Sequence, residues 1–135
     1  NKKEWQVGYY NKINDKMTSF QVSEKITKLP DSKIFKEKKT VKELNLKKIK
    51  IDFEKAVNKC TKELSKSQPM SFISKKIIIL QHLKEGEVWN ITFLTTTMNT
   101  INIKLDSSSG KIISKETFNL GDLLKVDEKN VPVAK

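Results

Sequence analysis

The feature that most constrains the fold is an alternation of polar and apolar residues between residues 76 and 106. Three strand-like runs, at residues 76–82, 87–95 and 100–106, are separated by Gly86 and by a polar cluster at residues 96–99. In a strand, alternate side chains point to opposite faces, so the middle run places Trp89, Ile91 and Phe93 together. This pattern predicts an antiparallel meander with one apolar face.

An amphipathic helix is predicted immediately before the meander. Asp52 is a suitable N-cap, and Pro69 prevents the helix from continuing into the first strand. Apolar residues follow the N-cap at the spacing of one helical face, namely Phe53, Ala56, Val57, Cys60 and Leu64. We expect this stripe to cover the apolar face of the meander.

A strong turn and a further strand are predicted after the meander. The sequence from Asp106 to Gly110 consists of turn-forming residues, and residues 111–118 form a strand candidate. Residues 119–135 are expected to be a C-terminal tail that frays from Gly121 onward.

The first third of the chain predicts a β-hairpin followed by a lysine-rich connection. Residues 5–10 and 18–22 are rich in aromatic and β-branched residues, and the polar residues 11–16 between them indicate a long loop. Lysines are densest in residues 33–50. Apolar residues alternate near the end of this connection, which favours a short extended piece at Leu44, Leu46, Ile49 and Ile51.

The expected fold class is α+β, with a single amphipathic helix packed on one face of an antiparallel sheet made of the meander and the N-terminal hairpin. Residues 1–48 are expected to hold the hairpin and the lysine-rich connection, and residues 49–118 the helix and the rest of the sheet. The chain begins at Asn1 without an apolar targeting stretch. A leader or membrane anchor removed upstream, or a fragment cut from a longer chain, are the alternatives.

The charge balance leaves two classes of binding partner open. The chain has 135 residues, 27 basic side chains that are all lysine, and a formal net charge of +11. Without arginine it lacks the planar fork that recognises phosphate or guanine through two hydrogen bonds, so a protein or peptide partner is favoured over nucleic acid or another polyanion. The candidate binding residues are Trp5, Tyr9, Tyr10, Lys36, Lys38, Lys39 and Lys42.

No catalytic, metal or cofactor site is predicted. Cys60 falls on the apolar stripe of the helix, where a cysteine behaves as a small buried side chain. His82 with Glu85 and Glu87 is a common combination that does not by itself indicate a metal site. A phosphate-binding loop requires a glycine five residues before Gly110 and a serine or threonine after Lys111. These positions hold Leu105 and Ile112.

Three short segments together carry a resemblance to a known family. They are DFEKAV at residues 52–57, WNITF at residues 89–93, and INIKLDSSSGKI at residues 101–112. In this order they resemble the PepSY domain over about residues 49–118. The most characteristic piece is an aliphatic strand that ends in Asp106 and is followed by small residues, Gly110 and the aliphatic Ile112.

The resemblance implies a cystatin-like arrangement of a helix on an antiparallel sheet, and a non-catalytic domain outside the cytoplasm that modulates a peptidase or binds another protein. The residues that carry the resemblance have structural roles. Asp106 and Gly110 suit a tight turn, Trp89 anchors the sheet, and Ala56 allows the helix to approach closely.

Overall fold

The computed structural model describes residues 4–33 and 41–119, and the chain divides into two compact units between Val41 and Lys42. The N-terminal unit contains strands β1 (Trp5–Asn11), β2 (Lys16–Val22), β3 (Ile26–Lys28) and β4 (Ser32–Lys33). The C-terminal unit contains helix α1 (Phe53–Ser65) and strands β5 (Ile73–Leu83), β6 (Gly86–Thr95), β7 (Asn99–Asp106) and β8 (Ile112–Asn119). Each unit has its own antiparallel four-stranded sheet, and the predicted α+β class is confirmed.

The predicted N-terminal hairpin is formed by β1 and β2. Their register runs from Trp5 opposite Val22 to Asn11 opposite Lys16. The short strands β3 and β4, which the sequence does not predict, both pair with β2. The hairpin therefore lies in a sheet of its own, and not in one sheet with the meander as the sequence analysis expects.

The predicted meander is confirmed in the C-terminal unit, where the strand order is β5-β6-β7-β8. Helix α1 begins as predicted, since the Asp52 side chain accepts a hydrogen bond from the backbone N–H of Lys55 at 2.8 Å. Ala56, Cys60 and Leu64 of its apolar stripe are fully buried.

The hydrophobic core lies between α1 and one face of this sheet. Trp89 and Leu105 are paired across β6 and β7, and so are Ile91 with Ile103 and Phe93 with Ile101. These side chains form one buried cluster with the helix stripe. The rings of Phe53 and Trp89 meet edge to face with centroids 6.1 Å apart.

The connection before the helix differs from the sequence-based expectation. Leu46–Lys48 forms a 3-10 turn where an extended piece is predicted. The turn is favoured because the side chain of Asn45 accepts a hydrogen bond from the N–H of Lys47 at 3.1 Å, as an N-cap does. Further along, the indole N–H of Trp89 donates to the carbonyl oxygen of Ile51 at 2.8 Å.

The turn after β7 is built around the Asp106 carboxylate. One carboxylate oxygen accepts the N–H of Ser108 at 2.9 Å, and the other accepts the hydroxyl of Ser109 at 2.9 Å. These hydrogen bonds lower the pKa of Asp106 below its usual value. Gly110 has φ +77°, and a Cβ there would lie 3.3 Å from the side chain of Ile51, so glycine suits both the backbone and the space.

We predict that Asp52→Ala destabilises the C-terminal unit by about 1 kcal/mol, because the N–H of Lys55 loses its acceptor. Urea unfolding followed by circular dichroism measures the change. Asn58→Ala, at an exposed position inside the same helix, is the matched control and should not destabilise the unit. Equal stability of Asp52→Ala and wild type would show that the cap contributes nothing.

Candidate functional site

One face of the N-terminal sheet is covered with aromatic and aliphatic side chains. Residues that lie directly opposite each other in a sheet point to the same side, and Trp5 is opposite Val22 while Val7 is opposite Phe20. Along the other edge of β2, Ile26 of β3 also lies opposite Val22. We call this surface the apolar face, and its members are Trp5, Val7, Tyr9, Phe20, Val22 and Ile26.

The apolar face is largely accessible to solvent. The exposed fraction is 61% for Tyr9 and 73% for Ile26, which are large values for side chains of this kind. The rings of Tyr9 and Phe20 meet edge to face at 6.0 Å and form one wall of a shallow hollow of about 280 Å³. A contiguous exposed apolar patch of this type is typical of a binding surface.

The N-terminal sheet buries little on either face. Among residues 4–33, only Ser19 is buried. The face opposite to the apolar face carries Gln6, Gly8 and Tyr10 of β1, and the hydroxyl of Tyr10 donates to Asp15. A small sheet gains stability mainly by packing one face against another layer. The described part of this unit supplies no such layer of its own.

Lysines lie beside the apolar patch on the same side of the sheet. Lys16 is directly opposite Lys33, and Lys28 is directly opposite Phe20. Like charges that face each other across two strands repel, and a nearby anion would relieve this repulsion. We call Lys16, Lys28 and Lys33 the lysine rim. The rim makes the apolar face better suited to a partner that carries acidic groups.

A second polar cluster surrounds Glu87 in the C-terminal unit. The Glu87 side chain is buried, and its Oε1 atom accepts the backbone N–H of Asn45 at 3.2 Å. The Nδ1 atom of His82 lies 3.3 Å from the same oxygen and 2.7 Å from the carbonyl oxygen of Glu43. Glu87 and His82 thus attach the connection at residues 43–45 to the hairpin of β5 and β6.

The surroundings of Glu87 keep its carboxylate ionised. Burial works to raise the pKa of Glu87, but the hydrogen bond from the N–H of Asn45 and the electrostatic effects of His82 and Lys48 outweigh this and lower it. The cluster borders an open depression of about 550 Å³ next to the 3-10 turn. With Nδ1 of His82 directed at the Glu43 carbonyl and at Glu87, the pair is suited to holding the connection in place.

The structure separates the binding residues that the sequence analysis groups together. Trp5 and Tyr9 lie on the apolar face, whereas Tyr10, the next residue in β1, lies on the opposite face. Lys42 belongs to the C-terminal unit. Lys36, Lys38 and Lys39 lie outside the described residues.

The predicted fold-determining residues occupy structural positions. Ala56 and Trp89 are in the core, and Asp106 and Gly110 form the turn after β7. Burial raises the pKa of the Cys60 thiol to about 11, so this thiol is protonated and unreactive at neutral pH. Within the described ranges, no group of three or more metal-ligating side chains is close enough to hold an ion.

Sequence analysis missed Val7 of β1 and the members of the apolar face in β2 and β3. Val7 and Tyr9 are two residues apart, and so are Phe20 and Val22, which places each pair on one face of a strand. This spacing could have identified them. Glu87 had no such signal, because its hydrogen-bond partner Asn45 is distant in the chain.

We predict that the contribution of Glu87 to stability depends on pH. Since its folded-state pKa is lowered, the carboxylate stabilises the fold above the pKa of the unfolded chain, and this contribution is lost as the pH falls through the folded-state value. Wild type should therefore be more stable than Glu87→Gln at neutral pH, and the difference should shrink below about pH 4.

Urea unfolding at a series of pH values measures this difference. Glu85→Gln, at an exposed position in the adjoining turn, is the matched control and should have little effect at any pH. A difference between wild type and Glu87→Gln that does not change with pH would contradict the assignment.

Comparison with known proteins does not place the chain in a family. A scan against protein-family models gives no match, and searches among curated proteins and solved structures give no significant match. The resemblance to PepSY domains over residues 49–118 therefore stays a prediction. In the part of the chain that the structure describes, no helix is long and apolar enough to cross a membrane.

Proposed function

We propose that the chain is a non-catalytic binding domain that recognises an apolar, acidic segment of a protein partner through the apolar face of the N-terminal sheet. The observation that carries the proposal is the exposure of this face in a unit that buries only Ser19 among residues 4–33. Covering Val7, Tyr9 and Ile26 would remove apolar surface from water, at roughly 25 cal/mol for each Å².

The lysine rim supports an acidic character of the partner. Lys16 and Lys33 are both exposed and opposite each other, so a carboxylate placed between them would interact with two positive charges. Charge complementarity of this kind increases the association rate and selects among partners. The apolar face supplies affinity, and the rim favours segments that contain Asp or Glu.

The chemistry of the described side chains supports a role without catalysis. The Cys60 thiol is buried and protonated, and His82 directs Nδ1 toward backbone and carboxylate oxygens. Neither group has the arrangement of a nucleophile with an adjacent base.

The extracytoplasmic location belongs to the same proposal, and it rests on the PepSY-like residues Trp89, Asp106 and Gly110. In a narrower form of the proposal, the partner is a peptidase that the domain modulates or inhibits. A dose series of the chain against secreted peptidases tests this form, and absence of inhibition would remove it while leaving the binding role in place.

A polyanion-binding module is the second candidate. Exposed Lys42, Lys47, Lys48 and Lys50 support it. The same segment carries Glu43, whose negative charge weakens the local positive potential. Binding to DNA at low salt that disappears at moderate salt would favour this candidate.

We predict that the intact chain selects peptides rich in apolar and acidic residues from a displayed random library. The double variant Tyr9→Thr/Ile26→Thr should bind the selected peptides at least about tenfold more weakly, because two exposed contact side chains lose most of their apolar surface. Threonine keeps the strand preference at both positions. Isothermal titration with a selected peptide measures the affinity.

Ile13→Thr is the matched control, since Ile13 is 96% exposed in the loop between β1 and β2 and lies outside the apolar face. It should leave the affinity unchanged. Selection of no peptide family, or equal affinity of the double variant and wild type, would contradict the proposal. Binding lost in moderate salt but insensitive to the double variant would instead favour the polyanion alternative.

A further inference from the structure

In the C-terminal unit, the outer edge of β5 has no strand paired to it among residues 4–33 and 41–119. β5 stands at the end of the strand order and, among the described residues, pairs with β6 alone. Its central sequence, Ile77-Ile78-Ile79-Leu80, contains no charge, proline or glycine. An edge strand of this composition readily pairs with another strand.

The other edge of the sheet is better protected against pairing. β8 carries Lys115 and Glu116 near its middle, and the β7–β8 register shifts between Lys104 and Leu105. Charges and bulges are features by which edge strands avoid association. The lysines of β5, Lys75 and Lys76, lie near its start, as does its register irregularity between Ile73 and Lys75, and the titratable His82 lies near its end.

The side chains of β5 form apolar surface on both faces. Ile78 and Leu80 pack against the core beneath α1, and Ile77 and Ile79 point to the opposite face. The exposed fraction is 45% for Ile77 and 47% for Ile79. Their neighbours in β6 are the uncharged Thr92 and Asn90. An added strand would cover the isoleucines without burying a charge.

The sequence of β5 is complementary to itself in an antiparallel arrangement. If two copies pair about a twofold axis at Ile78, Ile77 lies opposite the second copy's Ile79, and Lys76 lies opposite Leu80. Lys75 then lies opposite Gln81, so no lysine faces another lysine. In a parallel, in-register pairing, each lysine would lie beside the same lysine of the second copy, and the like charges would repel.

We propose that two copies of this chain associate through antiparallel pairing of their β5 strands, centred on Ile78. The pairing joins two sheets into one and satisfies the backbone groups along the outer edge of each β5. It gathers Ile77 and Ile79 from both copies into one apolar cluster on the face away from α1. This association is independent of the apolar face of the N-terminal sheet.

Two double variants test both the association and its register. Ile77→Lys/Ile79→Lys places lysine opposite lysine at both contacts, and should raise the dimer dissociation constant at least about a hundredfold. Ile77→Glu/Ile79→Lys places glutamate opposite lysine at the same contacts, and should retain a dimer that weakens with salt. Sedimentation equilibrium over a wide range of concentrations measures the dissociation constant of each variant.

Both variants change half-exposed side chains, and circular dichroism establishes that each is folded. Ile113→Lys, at an exposed position of β8, is the matched control and should dimerise as wild type does. A wild type that stays monomeric throughout would overturn the proposal and leave the edge free for a foreign strand. Dimerisation of the lysine variant would place the contact on another surface, and a monomeric glutamate–lysine variant would overturn the register.

Discussion

The C-terminal unit depends on a junction at the backbone of Ser107. The carbonyl oxygen of Ser107 accepts the N–H groups of Lys50 and Ile51, both at 2.8 Å, immediately before the helix begins. The N–H and hydroxyl of Ser107 donate to the carbonyl oxygen of Glu87 at 3.1 and 2.7 Å. An unpaired buried polar group costs about 1–3 kcal/mol, so these contacts strongly favour one path of the chain. They hold the backbone of Lys50 and Ile51 in place immediately before the Asp52 N-cap of α1.

Periodicity was sufficient to predict the helix and the meander, because Ala56, Cys60 and Leu64 share a helical face and Trp89, Ile91 and Phe93 share a strand face. The short strands β3 and β4 contain too few residues to show a period. The 3-10 turn depends on a side-chain cap at Asn45 that competes with the alternating pattern. Of the candidate binding residues, Trp5 and Tyr9 could be predicted from aromatic content, but the lysine rim required the strand register.

The two sheets differ in how they are stabilised. The C-terminal sheet shares a buried apolar cluster with α1, whereas the described N-terminal strands are held by backbone pairing and by contacts such as that of Tyr9 with Phe20. Regions with few buried contacts open more easily than the core of a protein. The proposed binding surface therefore lies on the part of the chain that has most to gain from a partner, and the helix-covered sheet provides the stable part.

The position of Cys60 allows its reactivity to report on opening of the hydrophobic core. The chain contains one cysteine, and its thiol lies between α1 and the sheet with no exposed surface. A thiol-specific reagent can react there only when the helix separates from the sheet, because the closed state excludes both the reagent and the thiolate form. The rate of labelling thus measures how often the hydrophobic core is exposed under native conditions, without any substitution in the chain.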